Sequence, residues 1–375
     1  MIARFAILAA LLSAPAALAQ DCAPPADLKD GWDIATPQSQ GMDAAPLCDI
    51  GARFEGWKEA NAHAVLVLRH GKLVYEKYFA GEDQEWGKWS IGMIQHNAGR
   101  LHDVRSISKS VVSLLTGVAV DRGWLSVDQS VFAFFPEHAD LRTPAKDRIT
   151  IRHLLTMSSS LAWDESLPYS DRRNSETAMN NAADAARYVL EQPMWRSEPG
   201  DNYNYSGGSA VVLAEILRKV SGGMDITMLS KTLLFDPLGI TDFEWAVWNN
   251  RPVIASGLRL RPRDLAKVGQ LVLDGGKWQG RQIVSEKWIA DSIAPQINGQ
   301  SPFFYGYQWW LGRSLLDGRQ VDWAAGFGEG GQRVFIIPEF DIVVVLNFGL
   351  YGRGLQAYVG PSILNQHVLP AVVKK

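Results

Sequence analysis

The stretch "VRSISKSVVSLLTGVAV", residues 104–120, places a serine and a lysine three apart, Ser106 and Lys109. On a helix that spacing puts both side chains on one face. A lysine so placed can take the proton of a serine hydroxyl and make it a nucleophile, provided the surroundings disfavour its own charge. The next residues supply such surroundings. Val111, Val112, Leu114, Leu115, Val118 and Ala119 leave no wide polar face, and Ser110, Ser113, Thr116 and Gly117 are small enough to pack closely. Burial is therefore expected to lower the Lys109 pKa and make it a base for Ser106. At a helix start the Ser106 amide also points outward, where the helix dipole favours developing negative charge. The same residues allow a plainer arrangement, with Ser106 capping the helix and Lys109 reaching to water along its aliphatic stem. A lone S-x-x-K occurs about once by chance in a chain of this length, so this stretch does not choose between them.

Other chemistries find less support. There is no G-x-S-x-G, hence no α/β-hydrolase elbow. There is no H-E-x-x-H, and the seven histidines show no metal-ligand spacing, so no zinc is expected. A G-x-G-x-x-G occurs at Gly326, Gly328 and Gly331. The segment after it, "QRVFIIPEFDIVVVL", reads as a β-hairpin rather than the helix a dinucleotide site requires.

Several elements must hold the pair in place. "HAVLVLRHGKLVYEKYFAG" (63–81) reads as two strands turning at His70-Gly71, and residues 82–102 read as irregular. A mainly helical stretch comes next, and strand-like segments return after about residue 304. Strands at both ends with helices between predict one antiparallel sheet built from both termini, a helical lobe over about 120–255, and a site in the cleft between them. The 375 residues are 47% hydrophobic with net charge −3, ordinary for a soluble globular chain, and give no electrostatic case for nucleic acid or an anionic membrane. Arg4, the apolar run Phe5 to Leu12 and Ala17-Leu18-Ala19 read as an export signal (1–19), cleaved before Gln20. The apolar run is short of the ~20 residues a membrane span needs. A leader segment (20–62) and a single domain (63–375) would make up the rest. In a periplasmic or secreted protein Cys22 and Cys48 are read as a disulfide, the alternative being two free thiols.

Taken together, "HDVRSISKSVVSLLTGVAVDRGWLSVDQSVFAFFPE", "ITIRHLLTMSSSLAWDE", "EPGDNYNYSGGSAVVLAEILRKVSG" and "GLRLRPRDLAKVGQLVLDGG" resemble the serine β-lactamase and penicillin-binding-protein superfamily. Their order and spacing, over roughly residues 36–370, are most similar to its class C-like esterase and 6-aminohexanoate-dimer hydrolase branch. The resemblance implies a transpeptidase-like α/β (α+β) fold and three motifs. The first is Ser106 with Lys109. The second, a Tyr-x-Asn counted from Pro199-Gly200, falls on Tyr205-Ser206-Gly207. Tyr205 would be the second base and the proton donor to the leaving group, Gly207 stands where the family has Asn, and Tyr203 competes for the tyrosine position. The third, Lys-Thr-Gly in relatives, matches Ala324-Ala325-Gly326, which loses the cation; Gly326 would leave room for substrate, and the Phe327 amide would join the Ser106 amide in an oxyanion hole. Arg333 could replace the lost cation. Trp163, Trp309, Trp310 and Trp323 are pocket candidates whose competing role is core packing, and Asp103 and Arg105 are read as capping and bracing the helix rather than acting chemically. The expectation is an exported, monomeric serine hydrolase cleaving a small ester or amide through an acyl-enzyme, with no metal or cofactor. A β-lactamase or D-alanyl-D-alanine peptidase is the runner-up, and a non-catalytic sensor module the alternative of another class.

Overall fold

The computed structural model describes residues 22–195 and 198–373; the segment read as an export signal lies outside the described residues. Before the helical middle come β1 (Asp33–Ile34), β2 (Ala62–Arg69), β3 (Lys72–Tyr78), β4 (Ala80–Glu85), β5 (Lys88–Gln95) and β6 (His102–Asp103). Later strands are β7 (Phe243–Trp245), β8 (Leu258–Leu260), β9 (Ile297–Asn298), β10 (Phe304–Tyr305), β11 (Trp310–Leu316), β12 (Arg319–Gly328), β13 (Gln332–Ile337) and β14 (Ile342–Phe348). A nine-stranded sheet runs β1-β3-β2-β14-β13-β12-β11-β10-β9, antiparallel except for the β1–β3 pair. The N-terminal hairpin is thus zipped onto the C-terminal strand, and the sheet is built from both termini as expected.

The pattern of the inner strands explains why helices flank both faces. Val343 and Val345 of β14, with Val334 and Ile336 of β13 and Leu66 and Leu68 of β2, enter one apolar core. Their alternate neighbours Val344, Leu346, Phe335, Ile337, Val65 and Val67 enter the other. A strand with two buried faces reads as a continuous apolar run, as "DIVVVLNF" does. The second core is closed by α1 (Ala44–Gly56) and a C-terminal helix (Gln356–Ile363). The segment read as a leader therefore supplies both a strand and a helix to the fold, and the Cys22–Cys48 disulfide ties its start to α1.

The first core holds α2 (Ile107–Asp121), every residue of which is buried from Ile107 to Ala119. It is joined by α3 (Ser175–Asn181), α4 (Ala185–Glu191), α5 (Gly207–Val220) and α6 (Pro262–Leu273). Gly269 lets α6 lie close on the sheet: a Cβ there would come within 2.7 and 2.8 Å of Val343 and Val334 methyls. Residues 82–102, expected to be irregular, instead contain most of a second hairpin, β4 with β5. Its glycines and exposed tryptophan hide the alternation that marks a strand. The G-x-G-x-x-G lies in the β12–β13 hairpin, in keeping with the sequence reading.

Candidate active site

The chain enters α2 through a strained residue. Arg105 has φ +51°, a left-handed conformation unfavourable for a long side chain, and is held there by an ion pair to Asp103 (3.1 Å) and by stacking over Tyr351 (4.6 Å). Asp103, itself buried, also accepts from the Trp86 amide (2.7 Å) and pairs with Arg259 (3.0 Å), so both residues brace the entry rather than cap the helix. Ser106 then occupies the N-cap position, but its side chain caps nothing. The competing reading of the serine as a helix cap therefore fails. Among the described residues its amide meets no acceptor either, leaving an N–H at the positive end of the helix dipole.

Lys109 does not reach to water. It is 1% exposed, and its ammonium donates to Ser106 Oγ (3.0 Å) and to the Ala255 carbonyl (2.9 Å), with Glu176 Oε2 at 3.7 Å. It lies 5.0 Å from the centre of the Tyr205 ring, and the Tyr205 hydroxyl interacts with both Ser106 and Lys109. Tyr205 stands just before α5, whose N-cap Ser206 accepts from the Ser209 amide. Tyr203 is directed elsewhere: it packs on Tyr305 and Trp310, and its buried hydroxyl finds no partner. Of the two candidate tyrosines, only Tyr205 joins the Ser106–Lys109 pair.

One expectation is overturned by two acids. Burial alone would push the Lys109 ammonium toward deprotonation, but Tyr205, Glu176 and Glu165 outweigh it and raise its pKa. Glu176 accepts from Ser256 (2.7 Å). Glu165 accepts from the Trp163 indole (2.6 Å), the Gly207 amide (2.6 Å) and Tyr169 (3.1 Å). Burial and then the Glu176 charge push Glu165 up to about 7, against the pull of Lys109. Tyr205 is also raised, first by burial, with Lys109 opposing. Neither acid carries a sequence signal beyond Glu176 standing in the first turn of a helix capped by Asn174. Gly207 has a steric cause as well: a Cβ there would collide with the Glu176 carboxylate and meet Ala255 at 3.1 Å. An asparagine does not fit beside these acids.

The sheet supplies the facing wall. The end of β12 runs past the last β11 pair, Ala325 with Trp310, and lies along the entry to α2. The position of Gly326 is tight rather than open, since a Cβ would meet Val334 at 3.0 Å and Ile107 at 3.1 Å. Its glycine lets the strand approach α2 and leaves no room for substrate, contrary to expectation. Phe327 turns its ring away to stack on Trp310 (5.5 Å), and Trp310 stacks in turn on Tyr205 (5.8 Å). Of the four tryptophan candidates, Trp310 alone joins the site residues by direct stacking. Trp309 and Trp323 are core, and Trp163 holds Glu165. Arg333 is not a spare cation. Its guanidinium lies over Phe327, donates to the carbonyls of Gly328, Gln332 and Gln356, and burial lowers it to about 10.

A family model, Beta-lactamase, matches residues 55–351. The chain belongs to the Beta-lactamase family. Within this superfamily of serine β-lactamases and penicillin-binding proteins it is a hydrolase. It is 26% identical over 323 residues to the 6-aminohexanoate-dimer hydrolase of Paenarthrobacter ureafaciens, covering 80% of this chain and 75% of that one. It is 28% identical over 196 residues to the lovastatin esterase of Penicillium rubens, covering 47% of this chain and 48% of that protein. The solved structure of EstCE1, a hydrolase with promiscuous acyltransferase activity, shares its fold with a TM-score of 0.69 at 17% identity, over 90% of this chain and 99% of that one. Among the described residues no helix is long and apolar enough to cross a membrane.

Proposed function

We propose that the chain is an exported serine hydrolase that cleaves esters or unstrained short amides through an acyl-enzyme on Ser106. The observation that carries this reading is the 3.0 Å contact of Lys109 Nζ with Ser106 Oγ under the Tyr205 ring, on a fold whose relatives are hydrolases. In the reacting form the Lys109–Tyr205 pair has lost one proton. Ser106 Oγ attacks the carbonyl carbon while its proton passes to that pair, and the negative oxygen is held by the amides of Ser106 and Phe327. Tyr205 then gives the proton to the leaving oxygen or nitrogen as its bond to carbon breaks. Water attacks the acyl group in the same way, returning a proton to Ser106 Oγ and releasing the acid. The export signal at residues 1–19 and the Cys22–Cys48 disulfide support a periplasmic or secreted location.

Substrate choice depends on what the site lacks. A β-lactam presents a carboxylate that related enzymes meet with the cation of the third motif and a side-chain amide that they meet with the Asn of the second. Here those positions hold Ala324 and Gly207, Arg333 is committed to backbone carbonyls, and two acids lie behind Lys109. Losing one charge-assisted and one neutral hydrogen bond costs roughly 2 to 4 kcal/mol, or about 10 to 10³-fold. The test compares p-nitrophenyl butyrate with nitrocefin by kcat/KM on one preparation. The ester should win, and a clear preference for nitrocefin would overturn the substrate assignment.

A further inference from the structure

Four buried side chains outside the active site converge on one point. His63 comes from β2, Asp83 from β4, His96 stands just after β5 and His102 lies on β6; none is more than 4% exposed. One donor atom from each lies within 4.8 Å of the other three. We propose that these four residues bind one divalent transition-metal ion, zinc by the chemistry of the donor set, and that the ion fastens the β4–β5 hairpin to the sheet and to the strand that leads into Ser106.

Hydrogen bonding fixes which nitrogens are free. His63 Nε2 lies 3.1 Å from the Glu82 carbonyl and His102 Nδ1 lies 2.9 Å from the Asp103 carbonyl. Carbonyls only accept, so each of these nitrogens carries a proton. In two neutral rings the opposite nitrogens, His63 Nδ1 and His102 Nε2, present bare lone pairs to each other at 2.8 Å. Two acceptors do not attract at that distance, and a cation between them resolves the conflict. His96 Nε2 is buried without a partner. The Asp83 carboxylate lies 3.8, 3.8 and 4.0 Å from the three nitrogens. Metal–ligand bonds of 2.0–2.1 Å place tetrahedral donors about 3.3 Å apart, between the closest approach here, 2.8 Å, and the 4.8 Å within which all four donor atoms lie.

The surroundings are those of a metal site. Carbonyls orient two of the imidazoles, and Tyr351 (3.1 Å) and the Gln84 amide (2.8 Å) donate to Asp83 Oδ1. Gly81 and Gly349 flank His63 so closely that a Cβ on either would overlap its ring. Three imidazoles and one carboxylate, all from protein and closed to solvent, suit zinc in a structural role rather than one that activates water.

Tag-free full-length protein, purified without chelator, is analysed for metals by inductively coupled plasma mass spectrometry. About one zinc per chain is expected, falling below about a tenth in His96→Gln. That variant removes a ligand whose Nε2 makes no hydrogen bond, so it should still fold. Stripping the wild type with dipicolinate should lower its Tm by about 5 °C, and added zinc should restore it. Cobalt(II) added to the stripped protein should give the visible d–d bands of a four-coordinate site. The proposal is overturned if stripped wild type takes up neither zinc nor cobalt and its Tm ignores both, or if His96→Gln retains full stoichiometry.

Discussion

Two buried polar clusters lie on either side of the Asp103–Arg105 brace, and they are put together in opposite ways. The Ser106 cluster grows from a local pair: one helical turn brings Lys109 to the serine, and the rest of the fold surrounds it with Tyr205, Glu165 and Glu176. The histidine cluster has no local nucleus. Its four members come from four segments spread over forty residues and meet only through strand pairing and the β4–β5 hairpin. In the first, lysine is held charged by acids that its sequence neighbourhood does not contain. In the second, three imidazole nitrogens and a carboxylate oxygen crowd within 4.8 Å of one another. A buried charge with partners tolerates being one proton short during a reaction, whereas acceptor nitrogens crowded together call for a cation.

The sharpest way to break this contrast is at Ser106. Ser106→Ala should abolish labelling by a fluorophosphonate and lower ester turnover by about 10⁴-fold or more, with no loss of Tm. Persistent labelling at another serine would remove the first cluster from the chemistry. Next in size is the tyrosine pair. Tyr205→Phe should lower kcat by ~10²-fold, the scale of a positioned proton donor. Tyr203→Phe, whose hydroxyl has no partner, should change it little; the reverse pattern would move the second motif by two residues.

The acids give the smallest and most discriminating effect. Lys109 and Tyr205 are both raised, so the form that has lost one proton is scarce at pH 7, and kcat/KM should rise with pH into the alkaline range. Burial and Glu176 push Glu165 up to about 7, and once ionised its negative charge holds the proton on Lys109 more firmly. Glu165→Gln keeps an acceptor for the Gly207 amide while removing that charge. The alkaline limb of the pH profile should move down by about one unit. An unmoved limb would show that the acids only pack.

The places where expectation and structure part share one cause. The β4–β5 hairpin is hidden in the sequence because its glycines and its exposed Trp89 and Met93 break the alternation of a half-buried strand. The Lys109 pKa moves against expectation because burial is visible in "SVVSLLTGVAV" while Glu165 and Glu176, more than fifty residues away, are not. Gly326 reads as space for substrate, yet Ile107 fills it from the other side of the cleft. Arg333 reads as a free cation, and its charge is spent on carbonyls of its own hairpin and of the C-terminal helix.

By itself the sequence determined whatever rests on neighbours in the chain. Helical periodicity placed Ser106 and Lys109 on one turn, an apolar run marked α2 as buried, and strands at both ends with helices between specified the mixed α/β sheet. Motif order carried the family. Only the tertiary structure decided charge and coordination, because Coulomb energy and metal geometry depend on distances through space. It set two acids behind the lysine, closed the Asn position at Gly207, and gathered His63, Asp83, His96 and His102, whose spacing along the chain shows nothing, around a single point.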